Sequence, residues 1–389
     1  MPHETALIST IAVCLALAFV GGLLAFRVGL PPLVGYLVAG IVAGPFTPGF
    51  TADTKVAPEL AEIGVILLMF GVGMHFSVRD LLAVRRVAIP GAIVQIVVAT
   101  ALGLGLANLW GWSLAGGLVF GLALSVASTV VLMRALETRG GPGTPEGRIA
   151  VGWLIVEDLL MVLVLVLLPG LADSSSDVLA TVGLTLGKLA LFLAAMFVIG
   201  ARFFPWVLQH VSRTGSRELF TLGVIALSLG VAYFSAHFFG VSFALGAFCA
   251  GVLVNGSHLS QRAAADLKPI EDAFAALFFV AVGMLFDPTI LVREPVRVLA
   301  VLGVIIVGKS LAGLGIVLLL RQPMRTALTV SAALAQIGEF SFILAGLGVS
   351  LGLLPEEGRN LVLAGALLSI TLNQVVFGVM GRFAERRAA

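Results

Sequence analysis

Charged residues are scarce in this 389-residue chain: they make up 11% of it, whereas an average soluble domain carries roughly 25%. Hydrophobic residues make up 59%, and the mean hydropathy is +1.12. This composition predicts an all-α protein with many membrane-spanning helices, surrounded by a lipid bilayer. The net charge of +2 argues neither for nor against a nucleic-acid partner, and we expect none.

Cysteine is also rare. The two that occur, Cys14 and Cys249, lie in apolar runs, which indicates neither a disulfide framework nor a metal site. The five histidines are scattered without ligand spacing. Walker A, G-x-S-x-G and H-E-x-x-H motifs are missing, so nothing supports ATP-driven transport or hydrolysis. We therefore expect neither an enzyme nor a bound cofactor.

The N-terminal run lacks a basic region and a small-residue cleavage site, so we interpret it as a first span. A helix needs roughly 20 apolar residues to cross a bilayer core. Dividing the sequence at proline, glycine and charge clusters gives about thirteen apolar segments that can serve as such spans. They are Thr5–Phe26, Leu30–Phe46, Val56–Met74, Val84–Leu109, Ser113–Arg134, Ile149–Pro169, Val178–Phe203, Arg217–Phe238, Val241–Gly256, Leu267–Phe286, Val296–Leu320, Met324–Ser350 and Glu357–Phe383.

The connections between these segments alternate in basic charge. Because basic connections stay in the cytoplasm, the pattern predicts a periplasmic N-terminus and a cytoplasmic C-terminus. The basic set is Arg27, Arg79, Arg85, Arg86, Arg134, Arg139, Arg148, Arg202, Arg213, Arg217, Arg262, Lys268, Arg321, Arg325, Arg382, Arg386 and Arg387; the opposite set is Lys55, Arg293, Arg297 and Arg359, with Asp173, Asp177, Asp287, Glu356 and Glu357 beside them.

Two adjacent acids, Glu157 and Asp158, interrupt the apolar run WLIVEDLLMVLVLVLLP. They lie roughly 13 Å from the cytoplasmic edge, near the bilayer centre, and Lys309 lies at a similar depth in its own span. Each such charge costs about 2.5 to 3.5 kcal/mol, so they should face one another or a water-filled cavity. Adjacent residues point about 100° apart, so one acid can pair with Lys309 while the other faces a water path.

A buried ion pair that only aligns helices is the structural alternative. It needs one acid, and a second carboxylate adds desolvation cost without a structural return. The pair of acids therefore favours a functional site.

Two stretches with small and polar residues are typical of discontinuous helices. LALSVASTVVLM contains Ser125, Ser128 and Thr129, and AQIGEFSFILAGLG contains Gln336 and Glu339. Broken helices free backbone carbonyls and hydroxyls that can coordinate a cation. Ordinary small-residue packing between helices is the alternative. The position of these stretches beside the spans with the acids and the lysine favours the discontinuous helices.

The spans form two trios, residues 84–169 and 296–383, each with an interrupted middle helix. The trios begin on opposite sides of the membrane, as in the inverted repeats of secondary transporters. Weaker candidates are Glu62 near the outer interface, and Asn373 and Gln374, for which interhelical hydrogen bonds are expected. Lys188 lies near the middle of its span; snorkelling to the interface or a contact with the backbone is expected, with a gating role as the alternative.

Several motifs in order resemble the membrane domain of bacterial Kef-type monovalent cation/proton antiporters (the cation:proton antiporter-2 family), in particular the YbaL branch. They are PPLVGYLVAGIVAGPFTPGF, LAEIGVILLMFGVGMHFS, ASTVVLMRALE, IVEDLLMVLVLVLLP, SFALGAFCAGVLVNGS, LFFVAVGMLFDP and AQIGEFSFILAGLG.

The resemblance implies a thirteen-helix fold like that of sodium/proton antiporters, with two crossed discontinuous helices and an elevator-like movement. Residues 84–169 and 296–383 would form the core repeats, residues 5–74 and 217–286 the dimerisation and scaffold helices of a homodimer, and residues 178–203 a linker helix. Kef-type proteins usually continue into a cytosolic nucleotide-binding regulatory domain; we expect none within these 389 residues, whether the sequence is a truncated or a naturally short form.

The resemblance also implies roles for single residues. Asp158 matches the ion-binding aspartate. Glu157 stands where sodium/proton relatives have Asp and the best-known Kef members have Gln, and Lys309 matches the lysine that pairs with that neighbour. Ser125, Ser128 and Thr129 would contribute to the cation and proton site, with Ser128 and Thr129 matching hydroxyls at the helix break. Gln336 and Glu339, with Lys309, would gate or compensate charge.

The resulting hypothesis is exchange of a monovalent cation, K⁺ in the first instance, for H⁺ across the bacterial inner membrane. The cation and the proton would compete at Asp158, and Glu157 would pair with Lys309. Sodium/proton exchange, a gated cation pathway without proton coupling and a non-transporting sensor are the alternatives.

Overall fold

The computed structural model describes residues 3–48, 56–75, 78–137, 141, 143–172 and 178–386. These residues form helices, with no strand among them. The first half of the chain contains α1 His3–Arg27, α2 Pro32–Ala43, α3 Val56–His75, α4 Val78–Leu109, α5 Leu114–Ser125, α6 Thr129–Glu137, α7 Pro145–Ala172 and α8 Val178–Ala195.

The second half begins with a π-helical turn, Met196–Gly200, that joins α8 to the next helix. A second π-helical turn, Val304–Gly308, lies inside another long helix. The helices are α9 Ala201–Arg213, α10 Arg217–Phe239, α11 Phe243–Asn255, α12 Ser260–Met284, α13 Ile290–Arg293, α14 Pro295–Gly303, α15 Lys309–Leu319, α16 Met324–Leu334, α17 Glu339–Ser350 and α18 Glu356–Arg386.

Within the described part of the chain, seven helical stretches are long and apolar enough to cross a membrane, and α16 with α17, bent by 42°, forms an eighth candidate. The seven are Leu7–Arg27, Leu81–Leu109, Pro145–Pro169, Gly187–Arg213, Arg217–Phe239, Pro295–Leu319 and Glu356–Met380. The protein is therefore an all-helical, polytopic membrane protein, as predicted. Each of the other predicted segments contains a helix, and the count of thirteen spans stays a prediction.

The predicted orientation depends partly on charges for which the structure gives no placement. Lys55, Arg139, Asp173, Asp177 and Arg387 lie outside the described residues.

One compact unit comprises residues 1–21, 36–76 and 162–284. Within it, α3 packs against α11 and α12. Glycines set the distance of approach: a Cβ built on Gly251 would lie 3.0 Å from Gly73 Cα, and one on Gly64 would lie 2.9 Å from Phe278 Cβ. Small residues at these crossings let the helix backbones pack closely, as is common between membrane helices.

The other unit comprises residues 22–35, 77–161 and 285–389. In this unit α4 packs on α5, α15 on α16, and α18 on both α16 and α17. Trp153, Leu132, Leu334 and Phe377 belong to its buried apolar cluster. All residues of the predicted site belong to this unit. The assignment of the two units to transport and dimerisation stays a prediction.

Two helices of the second unit are interrupted. Between α5 and α6, Val126 to Ser128 are not helical, and Val126 is extended with φ −90° and ψ 131°. Between α16 and α17, helical geometry stops after Leu334 and resumes at Glu339. Both interruptions lie in the stretches that the sequence predicted, so this part of the prediction is confirmed.

Candidate ion-binding site

The two helix breaks are in direct contact. A Cβ on Gly338 would lie 2.6 Å from both Cα and Cβ of Ser128, so a side chain at position 338 would prevent this approach. The Gln336 side chain joins the breaks: Ser128 N donates to Gln336 Oε1 at 2.9 Å, and Gln336 Nε2 donates to Ser128 O at 3.1 Å. One amide therefore satisfies both backbone groups of a residue that left its helix.

Glu157 of α7 is fully buried, and both of its carboxylate oxygens accept hydrogen bonds. Ala127 N, in the first break, donates to Oε2 at 2.9 Å, and the Trp153 indole Nε1 donates to Oε1 at 3.2 Å. An ionised carboxylate accepts hydrogen bonds and donates none, so two N–H donors suit its charged form. Glu157 thus ties α7 to the break between α5 and α6.

Asp158, 4% exposed, has a different environment. Its Oδ2 accepts a hydrogen bond from Thr129 Oγ1 at 3.3 Å, whereas Oδ1 is buried and has no hydrogen-bond partner among the described residues. Glu339 Oε2 and Ser341 Oγ are likewise buried and unpartnered. Buried polar atoms without a partner cost about 1 to 3 kcal/mol each. These atoms are suited to a ligand that binds and leaves, such as a cation or a proton.

The Glu339 carboxyl, at the start of α17, is close enough to Asp158 for their charges to interact, and it lies within hydrogen-bonding range of the Ser128 side chain. Glu157, Asp158 and Glu339 are each at most 4% exposed, and Lys309 is the cation buried with them. Three acids against one lysine leave an excess of negative charge when all are ionised. Such a cluster attracts a cation.

Lys309 is fully buried at the first position of α15. Its Nζ donates to Gln336 O, in the second break, at 2.9 Å. Lys309 and Glu157 interact electrostatically, but the direct ion pairs among the described residues do not include these two. The predicted partnership of Glu157 with Lys309 stays a prediction.

The three predicted hydroxyl groups, of Ser125, Ser128 and Thr129, have different hydrogen-bond partners. Thr129 contacts Asp158. Ser125 Oγ donates to Leu122 O within its own helix at 2.7 Å, and Ser128 Oγ accepts a hydrogen bond from Val131 N at 3.4 Å, which caps the start of α6. Of the three, Thr129 is the hydroxyl that reaches the carboxyl of Asp158. All the predicted site residues nevertheless lie on the two breaks or bond to them.

Sequence reasoning missed two buried contributors. Gln95 of α4 caps the end of α5, because its Nε2 donates to Ser125 O at 2.9 Å; its Oε1 has no partner among the described residues. Trp153 holds Glu157. A glutamine alone in an apolar run and a tryptophan four residues before the acid, on the same helix face, were the available signals.

The weaker candidates lie elsewhere. Glu62 and Lys188 are exposed. Asn373 Nδ2 donates to Ala332 O at 3.0 Å, from α18 to α16, which confirms the expected interhelical bond. Gln374 Nε2 donates to Gly29 O. Among the described residues, no group of three or more His, Cys, Asp or Glu side chains could hold a metal ion as a resident site.

Known proteins with similar sequences are cation antiporters by name. The putative cation/proton antiporter YbaL of Escherichia coli is 60% identical over 98% of this chain and 70% of its own length. The K(+) efflux antiporter 4 of Arabidopsis thaliana is 34% identical over 95% of this chain, which spans 63% of that relative.

The fold has a solved counterpart. The sodium proton antiporter MjNhaP1 of Methanocaldococcus jannaschii superposes with a TM-score of 0.71 at 17% identity, over 99% of this chain and 100% of that structure. Residues 15–381 match the family described as sodium/hydrogen exchanger, transmembrane. The chain belongs to the sodium/hydrogen exchanger family of membrane transporters, not to an enzyme family.

Proposed function

We propose that this protein is a secondary active transporter that exchanges a monovalent cation, K⁺ in the first instance, for protons. The observation that carries the proposal is Asp158 Oδ1, which is buried near the contact of the two helix breaks and has no hydrogen-bond partner among the described residues. The same holds for Oε2 of Glu339, whose charge interacts with Asp158. The names of the relatives support cation/proton exchange, and those of the plant relatives support K⁺.

The mechanism is competition at Asp158. When Asp158 is ionised, its free oxygen binds a cation that has lost water, and Thr129 Oγ1 and Glu339 lie close enough to contribute oxygen ligands or charge. When Asp158 is protonated, its attraction for the cation is lost and the cation leaves. The lone pairs of one carboxylate thus hold either ion, and alternating exposure to the two sides converts competition into exchange.

The larger architecture is part of the same proposal. Thirteen spans would place the N-terminus in the periplasm and the C-terminus in the cytoplasm of the bacterial inner membrane. Residues 84–169 and 296–383 would move as an elevator, while residues 5–74 and 217–286 would hold a homodimer and residues 178–203 would link the two. A cytosolic nucleotide-binding domain, where one accompanies the membrane domain, would regulate the exchange.

The test is proton flux in proteoliposomes driven in turn by K⁺, Na⁺, Li⁺ and Rb⁺. Asp158→Asn keeps the size of the side chain but removes the charge and the titratable proton, so we expect cation-dependent proton flux to disappear. Asp272→Asn is the matched control, because Asp272 is exposed and pairs with Lys268; we expect it to retain wild-type flux.

The result that overturns the site assignment is full flux from Asp158→Asn. Wild-type cation flux without proton movement would replace the antiporter with a gated pathway, and no cation-dependent movement of either ion would indicate a sensor. A response to Na⁺ that exceeds the response to K⁺ would change the substrate and leave the mechanism intact.

A further inference from the structure

Among the described residues, Glu157 is the one acid of the cluster that accepts a hydrogen bond from an N–H donor on each of its two carboxylate oxygens. Ala127 N lies in the break between α5 and α6, two residues before Thr129, whose hydroxyl contacts Asp158. The position of Thr129 relative to Asp158 therefore depends on how firmly Glu157 holds Ala127.

Trp153 in turn determines where the Glu157 carboxylate lies. It is one helical turn before Glu157 on α7, is fully buried, and its Nε1 reaches Oε1 at 3.2 Å. The indole has little freedom to move, because its benzene edge packs on the backbone of α4 at Gly91. A Cβ at Gly91 would lie 2.7 Å from Trp153 Cε3 and would overlap with Cζ3 and Cη2.

We propose that Trp153, seated on Gly91, is a positioning residue for the ion site. It holds Glu157 against Ala127, and this contact keeps Thr129 in place for Asp158. In this arrangement Glu157 acts as a fixed anionic cap on the first helix break and does not contact the transported cation. The inference rests on the proposed function, since it assigns a positioning role within the same exchange site.

The first experiment replaces the indole N–H. Trp153→Phe keeps an aromatic ring and removes the donor to Glu157. We expect the half-saturating cation concentration for proton exchange to rise about tenfold, which corresponds to about 1.4 kcal/mol and is close to the low end of the contribution of a hydrogen bond to a charged acceptor. The maximum rate should change less than about twofold, because Asp158 itself remains. Trp206→Phe is the control, because Trp206 is largely exposed on α9.

The second experiment displaces the indole and leaves every hydrogen-bonding group present. Gly91→Ala forces the Trp153 ring to shift, whereas Gly105→Ala on the same helix meets nothing within 4 Å. We expect Gly91→Ala to raise the half-saturating cation concentration as Trp153→Phe does, and Gly105→Ala to leave it unchanged. If Trp153→Phe yields too little folded protein, Gly91→Ala decides the question by the same measurement.

A double-mutant cycle separates positioning from packing. Half-saturation is measured by cation-dependent thermal stabilisation of the purified protein, which requires no turnover. In the Glu157→Met background, Trp153→Phe should have no further effect on cation affinity. Equal and additive effects in both backgrounds would overturn the inference, as would unchanged affinity in Trp153→Phe and Gly91→Ala when the wild type exchanges cations for protons. A wild type without exchange would instead refute the proposed function.

Discussion

The two helix breaks solve the same backbone problem with opposite charges. In the first break, Ala127 offers an N–H group to the Glu157 carboxylate. In the second break, Gln336 offers a carbonyl to the Lys309 ammonium. Buried backbone groups that leave a helix require partners, and here an amide is matched by an anion and a carbonyl by a cation.

The helix that comes before each interrupted helix, α4 or α15, adds a second contrast. Gln95 of α4 caps Ser125 O with a neutral amide, and Lys309 of α15 caps Gln336 O with a charged amine, both at 2.9 Å. The comparison shows that two of the buried charged side chains, Glu157 and Lys309, form hydrogen bonds with the backbone of the breaks. Asp158 Oδ1 has no hydrogen-bond partner among the described residues, so this carboxylate can bind and release an ion without breaking a contact to the backbone.

The largest effect is expected where the two breaks touch. Gly338→Ala places a methyl group against the Cα, Cβ and N of Ser128, and these atoms include backbone that cannot rotate away. Such overpacking costs about 1 to 3 kcal/mol, and we expect proton exchange to be lost. The measurement is exchange in proteoliposomes together with the melting temperature of the purified protein.

Gly346→Ala provides the control for this substitution, because it lies on the same helix, α17, and its Cβ meets nothing within 4 Å. It should retain wild-type exchange and gain slight stability, as is common for alanine in place of glycine in a helix. Unimpaired exchange by Gly338→Ala would show that close contact between the breaks is unnecessary.

An intermediate effect is expected when the charge at the second break is removed in two ways. Lys309→Gln replaces the ammonium by an amide that can still donate to Gln336 O, and so makes the second break resemble the first. Lys309→Met leaves that carbonyl without a partner, at a cost of about 1 to 3 kcal/mol. We therefore expect Lys309→Met to unfold at lower temperature than Lys309→Gln.

Thermal unfolding of the two variants side by side is the measurement, with proton exchange recorded for both. Equal melting temperatures would mean that the bond to Gln336 O contributes nothing to stability. That outcome would leave only the charge of Lys309 as its contribution and would end the parallel with Gln95.

The smallest effect is expected for the neutral cap. Gln95→Met conserves the length of the side chain and removes the donor to Ser125 O. A hydrogen bond between neutral groups contributes about 0.5 to 1.5 kcal/mol, and loss of the unpartnered Oε1 offsets part of that cost. We expect a small fall in melting temperature and a modest rise in half-saturating cation concentration.

Gln209→Met serves as the control for Gln95→Met, since Gln209 is exposed on α9. This substitution should leave the melting temperature and the half-saturating cation concentration unchanged. A Gln95→Met variant with the full loss seen for Gly338→Ala would place Gln95 in the ion site itself.

The part of the site that could be predicted from the sequence is the set of charged residues that lie at the same depth in the membrane. Glu157, Asp158 and Lys309 are too costly to leave in lipid, and their similar distance from the helix ends brought them to one level. Polarity also predicted the breaks: residues 125–129 and 336–339 contain serine, threonine, glycine and glutamine, which are unusual within a continuous apolar helix. Both breaks occur there.

The partner of each polar atom was not predictable, because it depends on helix rotation by fractions of a turn. Charge alone indicates that one of the two acids pairs with Lys309, and the resemblance implies that this acid is Glu157. The hydrogen bonds join Glu157 to Ala127 and Trp153, and Lys309 to Gln336. Backbone donors and acceptors are invisible to charge counting. A neutral residue such as Gln95 gives little signal for the same reason.

The π-helical turn Val304–Gly308 immediately precedes Lys309. Such a turn holds one residue more than an α-helical turn would, whereas each residue of a regular α-helix rotates the chain by about 100°. Because the additional residue is taken up within the turn, deleting one residue here would give a continuous α-helix with Lys309 still directed at Gln336. The turn is therefore a place where the chain can differ in length by one residue, whereas the same deletion in the regular helix that follows the turn would rotate the residues beyond it by about 100°.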